Sequence, residues 1–249
     1  MRKDIQKRNY ENKLINESTP FAITEAFKML RTNMFYLSKN ETCPVFAITS
    51  AYAHAGKSII ITNVALSFAQ LGKRVLLIDG DMRCPVLHKL FKSEEGQGLS
   101  EVLAGVAEDE WKTVCHISDT VDLMTSGRIP PNPSELLSSE KMRSFLAAAR
   151  EKYDFIFIDL PPICEVSDAG VIADCVTGYL FAVRAGVTDQ RAVSEGLDAL
   201  KQMNASVAGL VLNDVDIKSA SYGKYGKHGK YGKYSKYGYT RGYGQEHKK

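Results

Sequence analysis

Residues 50–63 read "SAYAHAGKSIIITN", and the reading of this stretch decides the fold. Gly56-Lys57-Ser58 runs straight into apolar sequence, as a phosphate-binding loop runs into its helix. The first glycine of the pattern G-x-x-x-x-G-K-[ST], however, is Ala51. A loop that cradles phosphates needs backbone N–H groups aimed inward, a helix N-terminus behind them and a lysine that reaches the β- and γ-phosphates. Gly56, Lys57 and Ser58 supply the last part, with the Ser58 hydroxyl offered to Mg²⁺. Ala51 replaces a glycine without strain if its φ is negative. His54 stands mid-loop, where positive φ is often required, and His adopts it more readily than β-branched residues do. The competing reading is a chance G-K-S at a helix start, and the surrounding sequence decides between the two.

That sequence alternates. "PVFAITS" (44–50) is an apolar run of strand length, and Lys57 to Leu71 reads as a helix stopped by Gly72. "RVLLIDGD" (74–81) is a second buried strand, "YDFIFIDLPP" (153–162), "TGYLFAVRAG" (177–186) and "ASVAGLVLND" (205–214) are further apolar strands, and 121–125 is a shorter candidate. Helices are expected near 98–106, through "PPNPSELL", over 139–150 and over 189–203. An N-terminal helix over 24–38 is expected from the spacing of Ala26, Met29, Leu30, Met34 and Leu37, with Thr24 as its N-cap. Near-continuous hydrophobic strands alternating with helices predict an α/β fold, a mostly parallel sheet covered by helices on both faces. Ligands in such sheets sit at the carboxyl ends of the strands. Ser50, Asp79, Asp159 and Asn213 all fall at such ends.

Asp79 and Asp81, two apart in "LLIDGDMR", would be costly buried carboxylates without a partner, so a bound cation accounts for them. An ordinary polar exit from a strand is the plainer alternative. Asp159, closing the apolar strand "FIFID", has the form of a Walker B acid that helps to hold Mg²⁺.

Bulk properties bound the rest. A chain of 249 residues, 44% hydrophobic and 24% charged, is sufficient for one large α/β domain. The N-terminal "MRKDIQKRNYENK" has no apolar signal region, and no window approaches the roughly 18–20 apolar residues of a membrane helix. Five scattered cysteines, never spaced C-x-x-C, argue for free thiols in a reducing compartment. The net charge of +3 conceals an asymmetry: nine basic residues and one acid lie from Lys218 onward, a +8 segment on an acidic body. The expected division is therefore 1–217 as the nucleotide-binding domain and 218–249 as a Tyr/Gly/Lys-rich tail. Tyr222, Tyr225, Tyr231, Tyr234 and Tyr237 recur on a period of three, followed by Tyr239 and Tyr243. With no aliphatic side chains to bury, this tail is expected to be disordered when free. A solvated extension, an anion- or nucleic-acid-binding arm and a set of tyrosine substrates all fit its composition.

Taken together, "AGKS", "LLIDGDMR", "FIFIDLPP" and the terminal tyrosine cluster resemble the bacterial tyrosine kinases of the P-loop type, which serve capsular and extracellular polysaccharide systems. "EAFKMLRTN", "PPNPSELLSS" and "GLVLND" extend the likeness over nearly the whole chain. The resemblance implies a P-loop NTPase-like fold and ATP with Mg²⁺ as cofactors. It implies transfer of the γ-phosphoryl group to the tail tyrosines in trans, with Tyr222, Tyr225, Tyr231, Tyr234, Tyr237, Tyr239 and Tyr243 as acceptors. Lys57, Asp79, Asp81 and Asp159 become the catalytic set, with Asp79 or Asp81 as the base. Ala55, Gly56, Lys57, Ser58, Ile59 and Asn213 become the nucleotide contacts, and Ser58, Asp81 and Asp159 the Mg²⁺ contacts. Glu25, Lys28 and Arg31 match a segment that joins subunits into a ring, with Lys28 replacing an Arg and giving up bidentate pairing. The loop departs from the family's P-G-E-G-K-[ST]-T at Ala53, His54, Ala55 and Ile59. The likeness is to the split, Firmicute-type form, which implies a cytoplasmic subunit recruited to the inner face of the membrane. Its partners would be a separate membrane activator or polysaccharide co-polymerase and a tyrosine phosphatase, with nucleic acid not expected. A partition or septum-positioning ATPase of the same fold, and a nucleotide-binding scaffold without turnover, are the alternatives. The former usually carries a signature lysine at the loop's start, and there is no lysine between Ser50 and Gly56.

Overall fold

The computed structural model describes residues 13–93 and 96–215. Seven strands form one sheet in the order β3-β4-β2-β5-β1-β6-β7. They are β1 (Val45–Ser50), β2 (Val75–Asp79), β3 (Val114–Ser118), β4 (Val121–Met124), β5 (Phe155–Asp159), β6 (Gly178–Arg184) and β7 (Val207–Asn213). Every pairing is parallel except that of β3 with β4. β1, β2 and β5 are buried at every position, as strands covered on both faces must be. β3 is an antiparallel edge strand whose half-exposed "VCHIS" lacks the apolar run that marks the others, which is why the sequence reading passes over it.

The helices are α1 (Phe21–Leu37), α2 (Lys57–Ala69), α3 (Leu87–Phe91), α4 (Leu99–Ala104), α5 (Pro133–Leu137), α6 (Glu140–Arg150) and α7 (Gln190–Gln202). Their starts follow capping chemistry. Ser139 accepts from Met142 N at α6, Asp189 accepts from Arg191 N at α7, and Pro133 occupies the first turn of α5. The N-terminal helix begins at Phe21, after Pro20, rather than at 24, and Thr24 lies inside it, so Thr24 is not the N-cap. Proline's fixed φ and missing N–H suit the entry to a helix, and that outweighs the threonine.

Two cores result, one on each face. Ile60, Ile61, Val64 and Phe68 of α2 pack with Phe46, Leu77 and Phe157 on one side, beneath α1. Met142, Phe145 and Leu146 of α6 pack with Leu76, Ile156 and Ile158 on the other, alongside α4 and α7. Contacts divide the chain into residues Met1–Asn213 and Asp214–Lys249, and of the second unit only 214 and 215 are described. The expectations for the tail and its seven tyrosines lie outside the described residues. No helix among the described residues is long and apolar enough to cross a membrane.

Candidate phosphate and cation site

β1 lies between β5 and β6, so the chain leaving Ser50 enters the crevice at the carboxyl edge of the sheet. Residues 51–56 form the loop and α2 starts at Lys57. The loop turns through two left-handed residues, His54 (φ 66°) and Gly56 (φ 92°); Ala51 is not left-handed, so it replaces a glycine without strain. At Gly56 a Cβ would also collide with Asn213 Nδ2. The reason is that Asn213, at the end of β7, reaches across and donates Nδ2 to Ala55 O at 3.0 Å. Ile60 N is the amide that donates back to Gly56 O, so helix geometry leaves the N–H groups of Lys57, Ser58 and Ile59 pointing out of the α2 N-terminus. An anion fits there.

The loop is held by its neighbours. Ile163 N and Cys164 N donate to Ser50 O and Ala51 O, and the Glu165 carboxylate accepts from Ala53 N at 2.8 Å. The segment leaving β5 is thereby fastened to the phosphate loop. Lys57 is buried, and its charge acts on Asp159.

The acids are placed by strand register. Asp79 and Asp159 are partners at the ends of β2 and β5, 0% and 1% exposed. Gly80 follows because a Cβ there would meet Asp159 O and Leu160 at 3.0 Å. Asp79 Oδ2 accepts from Val86 N and Leu87 N at 3.0 and 2.9 Å, and Asp81 Oδ1 accepts from Cys84 N at 3.0 Å. The second oxygen of Asp79 and Oδ1 of Asp159 are buried with no hydrogen-bond partner. Burial pushes the Asp159 carboxyl up to about 7, opposed by the Lys57 charge and the Ser58 hydroxyl and reinforced by Asp81. Burial and the adjacent Asp159 likewise raise Asp79 well above the usual carboxylate range, against the Leu87 and Val86 amides. Two carboxylates side by side in a dry site do not both ionise without a counter-charge.

Among the described residues no three His, Cys, Asp or Glu side chains form a metal cage. Mg²⁺ does not need one, because it takes one or two carboxylates together with substrate phosphates and water. Orphaned carboxylate oxygens beside a serine hydroxyl are a fitting all-oxygen donor set.

The sequence-derived residues thus divide. The structure brings together Ala55, Gly56, Lys57, Ser58, Ile59 and Asn213 at the loop, and Asp79, Asp81 and Asp159 beside it. Glu25, Lys28 and Arg31 lie on α1, away from this edge: Lys28 pairs with Glu25 at 2.8 Å, and Arg31 Nη1 donates to Ser67 O of α2. Sequence reasoning missed Glu165, and it missed Arg83, which forks onto the buried Asp168. Arg83 stood in the quoted "LLIDGDMR", but nothing in sequence links it to a partner 85 residues on.

Residues 45–176 match the AAA domain family. The tyrosine-protein kinase YwqD of Bacillus subtilis (strain 168) is 34% identical over 224 residues, 90% of this chain and 94% of that one. The tyrosine-protein kinase Etk of Escherichia coli (strain K12) is 37% identical over 198 residues, and this chain spans only 27% of its length. The solved kinase domain of Escherichia coli ETK superposes with a TM-score of 0.75 at 35% identity, covering 79% of this chain and 77% of that one.

Proposed function

Because the chain belongs to the bacterial tyrosine-protein kinases, we propose that the crevice at the ends of β1, β2 and β5 transfers the γ-phosphoryl group of ATP to a tyrosine hydroxyl in capsule or exopolysaccharide synthesis. The observation that carries this reading is the pair of unpartnered carboxylate oxygens on Asp79 and Asp159, set beside a buried lysine and an open helix N-terminus.

Each residue then has a task. The α2 amides and Lys57 receive the β- and γ-phosphates, and Asn213, which ties the loop through Ala55 O, would contact the nucleotide. Ser58, Asp81 and Asp159 are the residues that would hold Mg²⁺, which would neutralise the charge developing on the phosphates. A phenol of pKa about 10 needs a base to attack near neutral pH. Asp79 is assigned that role: the Val86 and Leu87 amides fix one of its oxygens and leave the other without a partner. The burial of the site keeps water from competing with the phenol.

The acceptors are assigned to the C-terminal tyrosines, Tyr222 through Tyr243, on a cationic segment attracted to an acidic site. The exposed Phe21, Met29 and Tyr36 of α1, with Glu25 and Lys28, are assigned to contact with another copy in a ring. A separate membrane activator that recruits the chain to the membrane, and a phosphatase that resets it, complete the proposal.

Intact mass and phosphotyrosine mapping after incubation with Mg·ATP test it, with wild type and Lys57→Met compared with and without the activator's cytosolic segment. Phosphate on the terminal tyrosines of wild type alone supports the reading. Nucleotide binding with no phosphotyrosine under either condition makes the chain a scaffold.

A further inference from the structure

The turn between Asp79 and α3 carries more than its acids. Residues 81–87 wrap the acidic cluster: Cys84 N caps Asp81, and Val86 N and Leu87 N cap Asp79. At the centre of this turn Arg83 donates to none of the cluster's acids but to Asp168. Its Nε donates to Asp168 Oδ2 at 2.8 Å and its Nη2 to Asp168 Oδ1 at 3.0 Å, the planar fork that only arginine offers a carboxylate. Asp168 is 0% exposed and sits on the short 3-10 turn Ser167–Ala169, downstream of β5. The hydroxyl of Ser134, in the first turn of α5, donates to the same Oδ1, and Arg83 Nη2 lies 3.4 Å from that hydroxyl. One buried carboxylate therefore joins three segments: the turn after β2, the start of α5 that follows β4, and the chain leaving β5.

We propose that Arg83, Asp168 and Ser134 form a clasp that fixes the 81–87 turn, making Arg83 a positioning residue for phosphoryl transfer rather than a ligand of nucleotide or metal. The turn is short, and its amides hold Asp79 and Asp81 only while it keeps this shape. Arg83 is the residue in it that is tied to another part of the sheet edge through a charged fork. Asp168 also holds the guanidinium in a defined place close to Asp81, whose charge acts on it. Without Asp168 the same guanidinium is free to turn towards Asp81 and compete for its oxygens. Displacement of a reacting group by about 1 Å costs on the order of 100-fold in rate while leaving binding in place. The signature of the clasp is therefore a fall in kcat with KM for ATP retained. The inference rests on Asp79 and Asp81 being the catalytic acids.

The test uses the full chain. Arg83→Met alone strands a buried charge, so the informative protein is Arg83→Met combined with Asp168→Asn. The account expects kcat to fall about 100-fold with KM for ATP within about twofold. It expects the amides of Cys84, Val86 and Leu87 to exchange with solvent about tenfold faster, while those of β1 and β5 stay protected. Wild-type kcat and wild-type exchange in this variant would overturn the clasp. So would exchange that rises evenly over the sheet with kcat and KM both altered, since that is general support of the fold. If the double variant does not fold, Arg83→Lys keeps the charge but loses the fork, and unchanged exchange at the three amides overturns the proposal. Asp81→Asn separates the two readings: wild-type turnover there removes the catalytic assignment itself, whereas loss of turnover there with full turnover in the Arg83 variants removes only the clasp.

Discussion

Two groups of buried carboxylates lie at the same edge of the sheet and are treated in opposite ways. Asp168 has both oxygens engaged, by the Arg83 fork and by the Ser134 hydroxyl. Asp79 and Asp159 are as deeply buried, yet each keeps one oxygen with no partner. A buried charge without a counter-charge is costly, so a fold tolerates it only where a ligand completes it. Asp168 is finished by the chain; Asp79 and Asp159 are finished by something that binds. This contrast separates structural acids from functional ones without reference to any relative.

The contrast breaks first at Asp159. Asp159→Asn should lower phosphotransfer by about 10²–10³-fold while stabilising the ligand-free protein by about 1–3 kcal/mol near pH 8. The sign follows from its proton affinity. The carboxyl is raised from 3.8 to about 7 in the fold, so its contribution is intact below 3.8 and is lost as pH climbs to about 7. Thermal unfolding without Mg²⁺ at low and high pH should therefore show a decline in wild type that the Asn variant lacks. The opposite sign is expected at the other acid: Arg83→Met leaves Asp168 with the Ser134 hydroxyl alone and should cost about 1–3 kcal/mol by denaturant unfolding. Gly56→Ala forces a left-handed alanine into Asn213 and should cost about 1–3 kcal/mol, with weaker ADP binding by calorimetry. The smallest effect is at His54: Gly in its place relieves a positive φ and should gain about 1 kcal/mol in thermal unfolding, with phosphotransfer retained.

Much of the fold is legible because burial on both faces writes itself into sequence as apolar runs. The runs ending at Ser50, Asp79 and Asp159 became the fully buried β1, β2 and β5, whereas the run ending at Asn213 became β7, an edge strand with no buried residue, its apolar run notwithstanding. What escapes are elements without such a run, the edge strand β3 and the five-residue α3, and the start of α1, where proline rather than threonine sets the boundary. The site divides along the same line. Lys57, Ser58 and the acids follow from local pattern, because loop and strand end are contiguous in sequence. Glu165 on the phosphate loop and the Arg83–Asp168 fork depend on segments 112 and 85 residues apart. Asn213 was legible as a strand end, but its bond to Ala55 O, 158 residues away, was not.

The most direct test of the account is to count protons released when Mg·ADP binds, by calorimetry in buffers of different ionisation enthalpy. A cation held at Asp159, beside Asp79, must expel the proton that the pair holds near neutral pH. The account predicts release of about one proton near pH 6, declining towards pH 8, and markedly less in Asp159→Asn. Binding with no proton release at either pH, or with the same release in Asp159→Asn, would contradict the claim that the unpartnered oxygen of Asp159 belongs to the cation site.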